Sequence, residues 1–342
     1  PSTVPSTVTS TFPSTIPSTF RPYIQTDMEV HICGNNSEMI DLKKIEQLPR
    51  TEVELFITIS SAPIHLKRRN AIRETWASTI QHYSAVYRFF TDSKGLNPDT
   101  AQQLMKERKS FGDLEFTPTK GGYWLTHRFL YALFWAFKHY NFNFFLRIDD
   151  DYFVCLNHLM DDLKYRQKER FLFHGFLRCD PRLVIMDEGF LVFTKDIIQE
   201  FVRRNNSLCC HPFGDQMIVM FLYRLEREGF HISYFADNNR LAHYGKNFRA
   251  KRNFCSSMLG IHQAYPSQMY KYWKLNSVRW FNMSFNFVRR KHYTEYCHIP
   301  RGWDWRLVIK KYRYEPKACW EDGVSWPALS HFSFHRGREA EN

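Results

Sequence analysis

Between Val53 and Asp151 the sequence switches repeatedly between two hydrophobic periodicities, and that alternation restricts the fold more than any other feature. "VELFITIS" from Val53, "AVYRFFTD" ending at Asp92, "GDLEFTP" and "FNFFLRI" are short and apolar and read as strands. Between them lie "NAIRETWASTI", "TAQQLMKERKSF" and "YWLTHRFLYALFWAFKHY", whose apolar residues recur at helical spacing. The polar "SAPIHLKRR" reads as a loop, with Asn70 as the cap of the helix that follows. Strand–helix alternation implies right-handed crossovers and a mostly parallel sheet with helices on both faces. Beyond Asp151, "FLVFTKDIIQEFVRR" reads as strand then helix, "GDQMIVMFLYRLEREG" as helix and "HISYFAD" as strand.

Ligands of such sheets bind beyond the carboxyl ends of the strands. At one such end stands "NFFLRIDDDYFVCL", where Asp149, Asp150 and Asp151 interrupt an apolar run. Adjacent buried carboxylates are costly and repel one another. In extended chain Asp149 and Asp151 point to one face and Asp150 to the other. Two carboxylates on one face form a hard-oxygen site for Mg²⁺ or Mn²⁺, with open positions for substrate phosphates. A solvated acidic turn is the competing reading, and the apolar residues on both sides of the triplet oppose it.

The chain of 342 residues carries a net charge of +12, which favours anionic partners such as a diphosphate, acidic glycans or an anionic lipid surface. A solvated basic surface explains the same charge. No C-x-x-C pair, C-x-x-C…H-x-x-x-H spacing, RRM-type aromatic signature or G-x-x-x-x-G-K-[ST] loop is present. Zinc knuckles, nucleic-acid binding and P-loop phosphotransfer are therefore disfavoured. The eight cysteines and the N-x-S/T triplets at Asn35, Asn205 and Asn282 suit an oxidising, glycosylating compartment. The opening "PSTVPSTVTSTFPSTIPSTF" packs no core and reads as an extended, O-glycosylated stalk or a flexible linker. The apolar run "FLYALFWAF" is too short to span a bilayer, so membrane anchorage is expected through a segment upstream of Pro1.

The sequence resembles the β-1,3-glycosyltransferases of glycosyltransferase family 31. "ELFITISSAPIHLKRRNAIRETWA" is similar to the family's opening motif, most specifically in "RRNAIRETW", Arg68 to Trp76. "FFLRIDDDYFV" resembles its D-x-D strand, and "CSSMLGIHQAYPSQMYKYW", Cys255 to Trp273, its closing segment. The resemblance implies a GT-A fold, that is, a Rossmann-like nucleotide-sugar half and an acceptor half. The expected organisation is a stalk and linker over 1–50, the transferase domain over 51–273 and an irregular aromatic, basic extension over 274–342. It also implies a type II membrane protein of the Golgi lumen.

The implied reaction is inverting transfer of galactose or an N-acetylhexosamine from a UDP-sugar to a 3-hydroxyl of a glycoprotein or glycolipid glycan. By resemblance, Asp151 and His262 ligate Mn²⁺ or Mg²⁺, while Asp149 faces the ribose or sugar. Asp150, Arg68, Arg69, Arg73 and Asp92 complete the expected donor-binding set; each arginine could equally hold a structural carboxylate. The acceptor hydroxyl needs a carboxylate base. The family carries it in an E-D-V/D-D-V motif at a helix start; here Asp215 matches the second acid and Gly214 stands at the first. Asp187 and Glu188 in "MDEGF" are alternative bases, and Asp215 could be a helix cap. The stretch "GFLRCDPRLVIMDEGF" is shorter than the family's corresponding region and keeps only Gly189 of a glycine-rich turn. The alternative function is therefore a catalytically silent relative that binds glycans or partners.

Overall fold

The computed structural model describes residues 39–120, 124–180, 183–211, 213–243, 245–276, 287–297 and 318–319. The Pro/Ser/Thr repeat, the Asn35 and Asn282 triplets and most of the C-terminal extension lie outside them. Among the described residues no helix is long and apolar enough to cross a membrane.

The chain enters through a short helix, α1 (Leu42–Glu46), capped by Asp41 and anchored by buried Leu42. There follow β1 (Thr51–Ser60), α2 (Leu66–Glu74), β2 (Ala85–Lys94), α3 (Pro98–Phe111), β3 (Leu114–Lys120), α4 (Leu125–His139) and β4 (Tyr140–Asp149). This is the alternation expected from the sequence. The second half contributes β5 (Phe153–Val154), α5 (Leu156–Tyr165), β6 (Leu172–Asp180), β7 (Leu183–Thr194), α6 (Lys195–Arg203) and α7 (Gly214–Arg227). Last come β8 (Ser233–Ala236), β9 (Leu241–Ala242), β10 (Gly260–Ile261) and α8 (Pro266–Asn276).

Seven strands form one sheet in the order β3-β2-β1-β4-β7-β6-β8. Strands β1 to β4 pair in parallel, β7 runs antiparallel to both β4 and β6, and β6 pairs in parallel with β8. The fold is thus α/β, a mostly parallel sheet of the Rossmann-like type with helices packed against it.

The two-residue side-chain period explains why its strands read as unbroken apolar runs. Leu55, Ile57 and Ile59 of β1 face one buried cluster with Ile72, Trp76 and Leu159. Phe56, on the opposite face, joins Phe145, Phe129 and Phe201 in the other.

The first helix differs from expectation. Helix α2 begins at Leu66, so Asn70 is internal; His65 precedes the helix and makes no side-chain cap. The helix stops at Glu74, and Trp76–His82 form a 3₁₀ segment instead. The "polar loop" was misleading because Arg68 and Arg69 are buried in ion pairs and lie on the inner side of the helix. Strand β6 was not anticipated; it and β7 form the hairpin that brings "MDEGF" alongside β4.

Candidate active site

Strands β1 and β4 end side by side, with Ser60 opposite Asp149. The three acids then diverge. Asp150 turns back into the protein, where its carboxylate accepts from Ser61 Oγ at 2.7 Å, His65 Nδ1 at 2.8 Å and Arg68 Nη1 at 3.2 Å. Burial pushes the Asp150 carboxyl up, but pairing with His65 and Arg68 outweighs it and holds the group at about 2. Asp150 thereby ties the loop after β1 and the start of α2 to the end of β4.

Asp149 and Asp151 gather with His262, their candidate ligand atoms all within 4.8 Å of one another. Strand β10 delivers His262 by pairing with β5, and Ala264 N–H donates to the Asp151 carbonyl at 2.8 Å. The Cys155–Cys255 disulfide bonds the two arms of this small sheet. Tyr152 stacks on the His262 ring at 5.5 Å, and only glycine fits at 260, where a Cβ would lie 2.5 Å from the Tyr152 ring.

His262 Nε2 lies 3.3 Å from Asp151 Oδ1. Burial lowers the imidazole's pKa, but Asp151 raises it more, to about 9; reciprocally, burial raises Asp151 and His262 brings it below the usual range. Two carboxylates and one imidazole, mostly buried and converging, are a donor set that fits Mn²⁺ or Mg²⁺. His243 and Asp187 adjoin this group, with His243 Nδ1 at 3.6 Å from Asp187 Oδ1. Nothing in the sequence pointed to His243, which β9 brings in from a distant loop.

The base candidates meet at the start of α7. Phe213 precedes the helix and offers no side-chain cap. Instead Glu188, reaching across from β7, accepts from Asp215 N–H at 2.9 Å. Position 214 must be small for this, because a Cβ there would sit 2.2 Å from Glu188 Oε2. Arg147 holds the other oxygen of Glu188 at 3.0 Å, hydrogen-bonds the Glu188 carbonyl and pairs with Asp149 at 3.0 Å. A continuous polar chain therefore runs from Asp149 through Arg147 and Glu188 to Asp215. Arg147 was legible in principle, since residues two apart on a strand share a face.

Asp215 is buried, and among the described residues its Oδ1 has no hydrogen-bond partner. Burial, then the Glu188 and Asp187 charges, raise its pKa well above the ordinary carboxylate value. Asp187 accepts from Gly189 N–H at 3.0 Å and pairs with Arg178 at 3.4 Å.

The remaining expected residues divide. Arg68 lies over the Tyr265 ring at 4.8 Å and adjoins the triplet through Asp150. Arg69 is fully buried, with both sides of its fork on Glu107 at 2.8 Å. Arg73 grips Asp113 at 2.7 and 2.8 Å and Glu107 at 2.7 Å. These two guanidinium groups brace α2 against the end of α3. Asp92 lies near the end of β2, where Arg128 holds it at 2.7 and 3.0 Å and Thr119 at 2.6 Å. Arg128 also reaches Ser60 Oγ at 3.3 Å, so Asp92 belongs to the same edge of the sheet as the triplet.

Residues 67–181, which carry α2, the β4 triplet and the start of the hairpin, match the galactosyltransferase family model. That stretch is similar to galactosyltransferases, and the curated relatives that the chain matches are β-1,3-glycosyltransferases. The chain is similar to mouse (Mus musculus) beta-1,3-galactosyltransferase 6, with 31% identity over 135 residues, 37% of this chain and 42% of the relative. It is also similar to mouse acetylgalactosaminyl-O-glycosyl-glycoprotein beta-1,3-N-acetylglucosaminyltransferase, with 31% identity over 137 residues, 36% of this chain and 34% of the relative. The chain thus spans less than half the length of these curated relatives. Among solved structures it resembles the galactosyltransferase LgtC at a TM-score of 0.36 and 9% identity, over 65% of this chain and 95% of that one. The galactosyltransferase-family match ends at residue 181 and so excludes Asp215 and His262.

Proposed function

We propose that the protein is a metal-dependent inverting hexosyltransferase that moves galactose or an N-acetylhexosamine from a UDP-sugar to the 3-hydroxyl of a glycan. The observation that carries this reading is the single polar chain joining the Asp149–Asp151–His262 group to Asp215. Asp151 and His262 would hold Mn²⁺ or Mg²⁺, with Asp149 beside them toward the donor. When bound, such an ion neutralises charge on the diphosphate leaving group.

Asp215 is the base. Its raised affinity for a proton suits it to take one from the acceptor hydroxyl. That oxygen bonds to the anomeric carbon as the bond to the diphosphate oxygen breaks, which inverts the centre. Glu188 and Asp187 suit the role less, because Glu188 is engaged by Arg147 and the α7 backbone and Asp187 by Gly189 and Arg178. Asp150 acts indirectly, by fixing the loop that carries Ser61 and His65. The Cys155–Cys255 disulfide and the similarity to β-1,3-glycosyltransferases support a reading in which the enzyme works in the Golgi lumen, on glycoprotein or glycolipid acceptors, tethered through its N-terminal side.

The test is UDP release from UDP-galactose, UDP-N-acetylglucosamine and UDP-N-acetylgalactosamine, with and without Mn²⁺, across an acceptor panel. Turnover with one donor that requires Mn²⁺ and disappears in Asp151→Ala supports the assignment. Donor binding without turnover on any acceptor would make the protein a silent, glycan-binding relative instead.

A further inference from the structure

Cysteine chemistry at the C-terminal segment stands apart from the transferase site. Cys155, Cys255, Cys209 and Cys297 are all disulfide-bonded. Cys210 and Cys319 carry thiols, and both are buried. They belong to distant parts of the sequence that pair locally. Cys209 and Ala318 form an antiparallel bridge, and Cys319 N–H donates to the Leu208 carbonyl at 3.1 Å. In extended chain alternate residues share a face. Cys210 therefore points to the same side as Leu208, and so does Cys319, which stands opposite Leu208. Cys209 points the other way. The Cys210 and Cys319 thiols accordingly hydrogen-bond to each other.

We propose that Cys210 and Cys319 form a disulfide that fastens the C-terminal segment to the stretch leading into α7. That stretch ends five residues on at Asp215, so the bond would anchor the backbone from which the candidate base projects. The neighbourhood supplies the chemistry for making it. His127 of α4 stacks its ring nitrogens 3.6 Å from Cys210 Sγ and can accept the thiol proton. Burial raises the Cys210 thiol, but the Cys319 and His127 hydrogen bonds bring it down to about 7, whereas burial and Cys210 hold Cys319 well above its ordinary value. Cys210 is thus the first nucleophile.

The oxidant is a dithiol–disulfide exchange partner of the secretory pathway. The Cys210 thiolate attacks one sulfur of the oxidant's disulfide and expels the other as thiolate. Cys319, losing its proton, then attacks Cys210 Sγ and expels the second thiolate. The chain loses two protons and two electrons, and the oxidant's disulfide takes up both to become two thiols. Because the sulfurs are buried in the finished fold, the exchange accompanies docking of the C-terminal segment.

The experiment uses the full chain secreted from eukaryotic cells without added reductant. It is denatured, alkylated and mapped by non-reducing peptide mass spectrometry. The expected result is a Cys210–Cys319 cross-link with neither residue alkylated. In Cys319→Ser, alkylation of Cys210 rises from background to one label per chain while Cys209 remains blocked. Stoichiometric alkylation of both residues in the wild type, or a Cys210 that stays blocked in Cys319→Ser, overturns the proposal. Should that variant fail to be secreted, partial-reduction mapping of the wild type decides the pairing. None of these readouts depends on transferase activity.

Discussion

Gly214→Ala probes the contact on which the geometry of the candidate base depends. Glycine at 214 has no left-handed φ, so alanine suits the backbone there. In isolation the change should favour a helix by up to about 1 kcal/mol. Yet the new Cβ would lie 2.2 Å from Glu188 Oε2 and 3.3 Å from its Cδ. The carboxylate must retreat, and its retreat breaks the 2.9 Å bond from Asp215 N–H. A hydrogen bond to a charged acceptor contributes about 1.5–3 kcal/mol, and here it also meets the positive end of α7. Glu188 cannot simply swing aside, because Arg147 holds both its carboxylate and its carbonyl.

Subtracting the helix gain leaves Gly214→Ala less stable by roughly 1–2 kcal/mol, a few degrees in Tm for a chain of this size. In a Glu188→Ala background the obstruction is gone, and the same substitution should stabilise. The coupling between the two sites is then about 2 kcal/mol, with a reversal of sign. Urea and thermal unfolding of wild type, both single variants and the double variant measure it. An alanine at 214 that is neutral or stabilising beside an intact Glu188, or equally costly in both backgrounds, refutes the capping role assigned to Glu188.

Asp215→Asn should lower turnover by roughly 10²–10⁴-fold, the usual contribution of a positioned base, and leave donor affinity unchanged in a calorimetric titration. As the proposed base, Asp215 would have to be ionised, so activity should fall as pH drops through its raised pKa. Glu188→Gln removes a charge that raises that pKa, so the acid limb of kcat/KM should move to lower pH. Asp150 falls from the ordinary 3.8 to about 2 on folding, so its ionised form stabilises the protein. That stabilisation, on the order of 2 kcal/mol, is complete above 3.8 and lost as pH falls toward 2. Asp150→Asn should therefore lower the urea midpoint at neutral pH and flatten the acid decline over that interval.

The parts of the molecule that were legible in the sequence are those in which burial follows periodicity. Strands β1, β2 and β4 are covered on both faces and show as continuous apolar runs; α4 and α7 show their stripes. Helix α2 was mis-bounded because its inward side carries Arg68 and Arg69, whose burial depends on Asp150 and Glu107 elsewhere in the chain. Strand β6 was obscured at Gly175, where its register with β7 shifts and a Cβ would lie 2.7 Å from the Phe190 carbonyl. Strands β5, β9 and β10 have two residues each, too few for any period. Yet this small sheet places His262 and His243. His262 could be named through resemblance, but no local pattern pointed to His243 or to the capping of α7 by Glu188.

The acidic triplet illustrates how three adjacent carboxylates can be accommodated without one shared counter-ion. Each acid meets a cationic group from a different direction. Asp149 pairs with Arg147 on its own strand, Asp150 with Arg68 of α2 and His65 just before it, and Asp151 with His262 just after β10. An arginine stays charged at every pH the fold survives, so Asp150 is locked by Arg68. Asp151 depends instead on a proton that His262 can give up. A divalent ion bound by Asp151 and His262, as proposed, would require the neutral imidazole and would not need to disrupt the Asp150–Arg68 pair. The triplet is therefore one bracing acid flanked by two that gather with His262, and it is the turn beginning after Asp149, where β4 ends, that sends them in different directions.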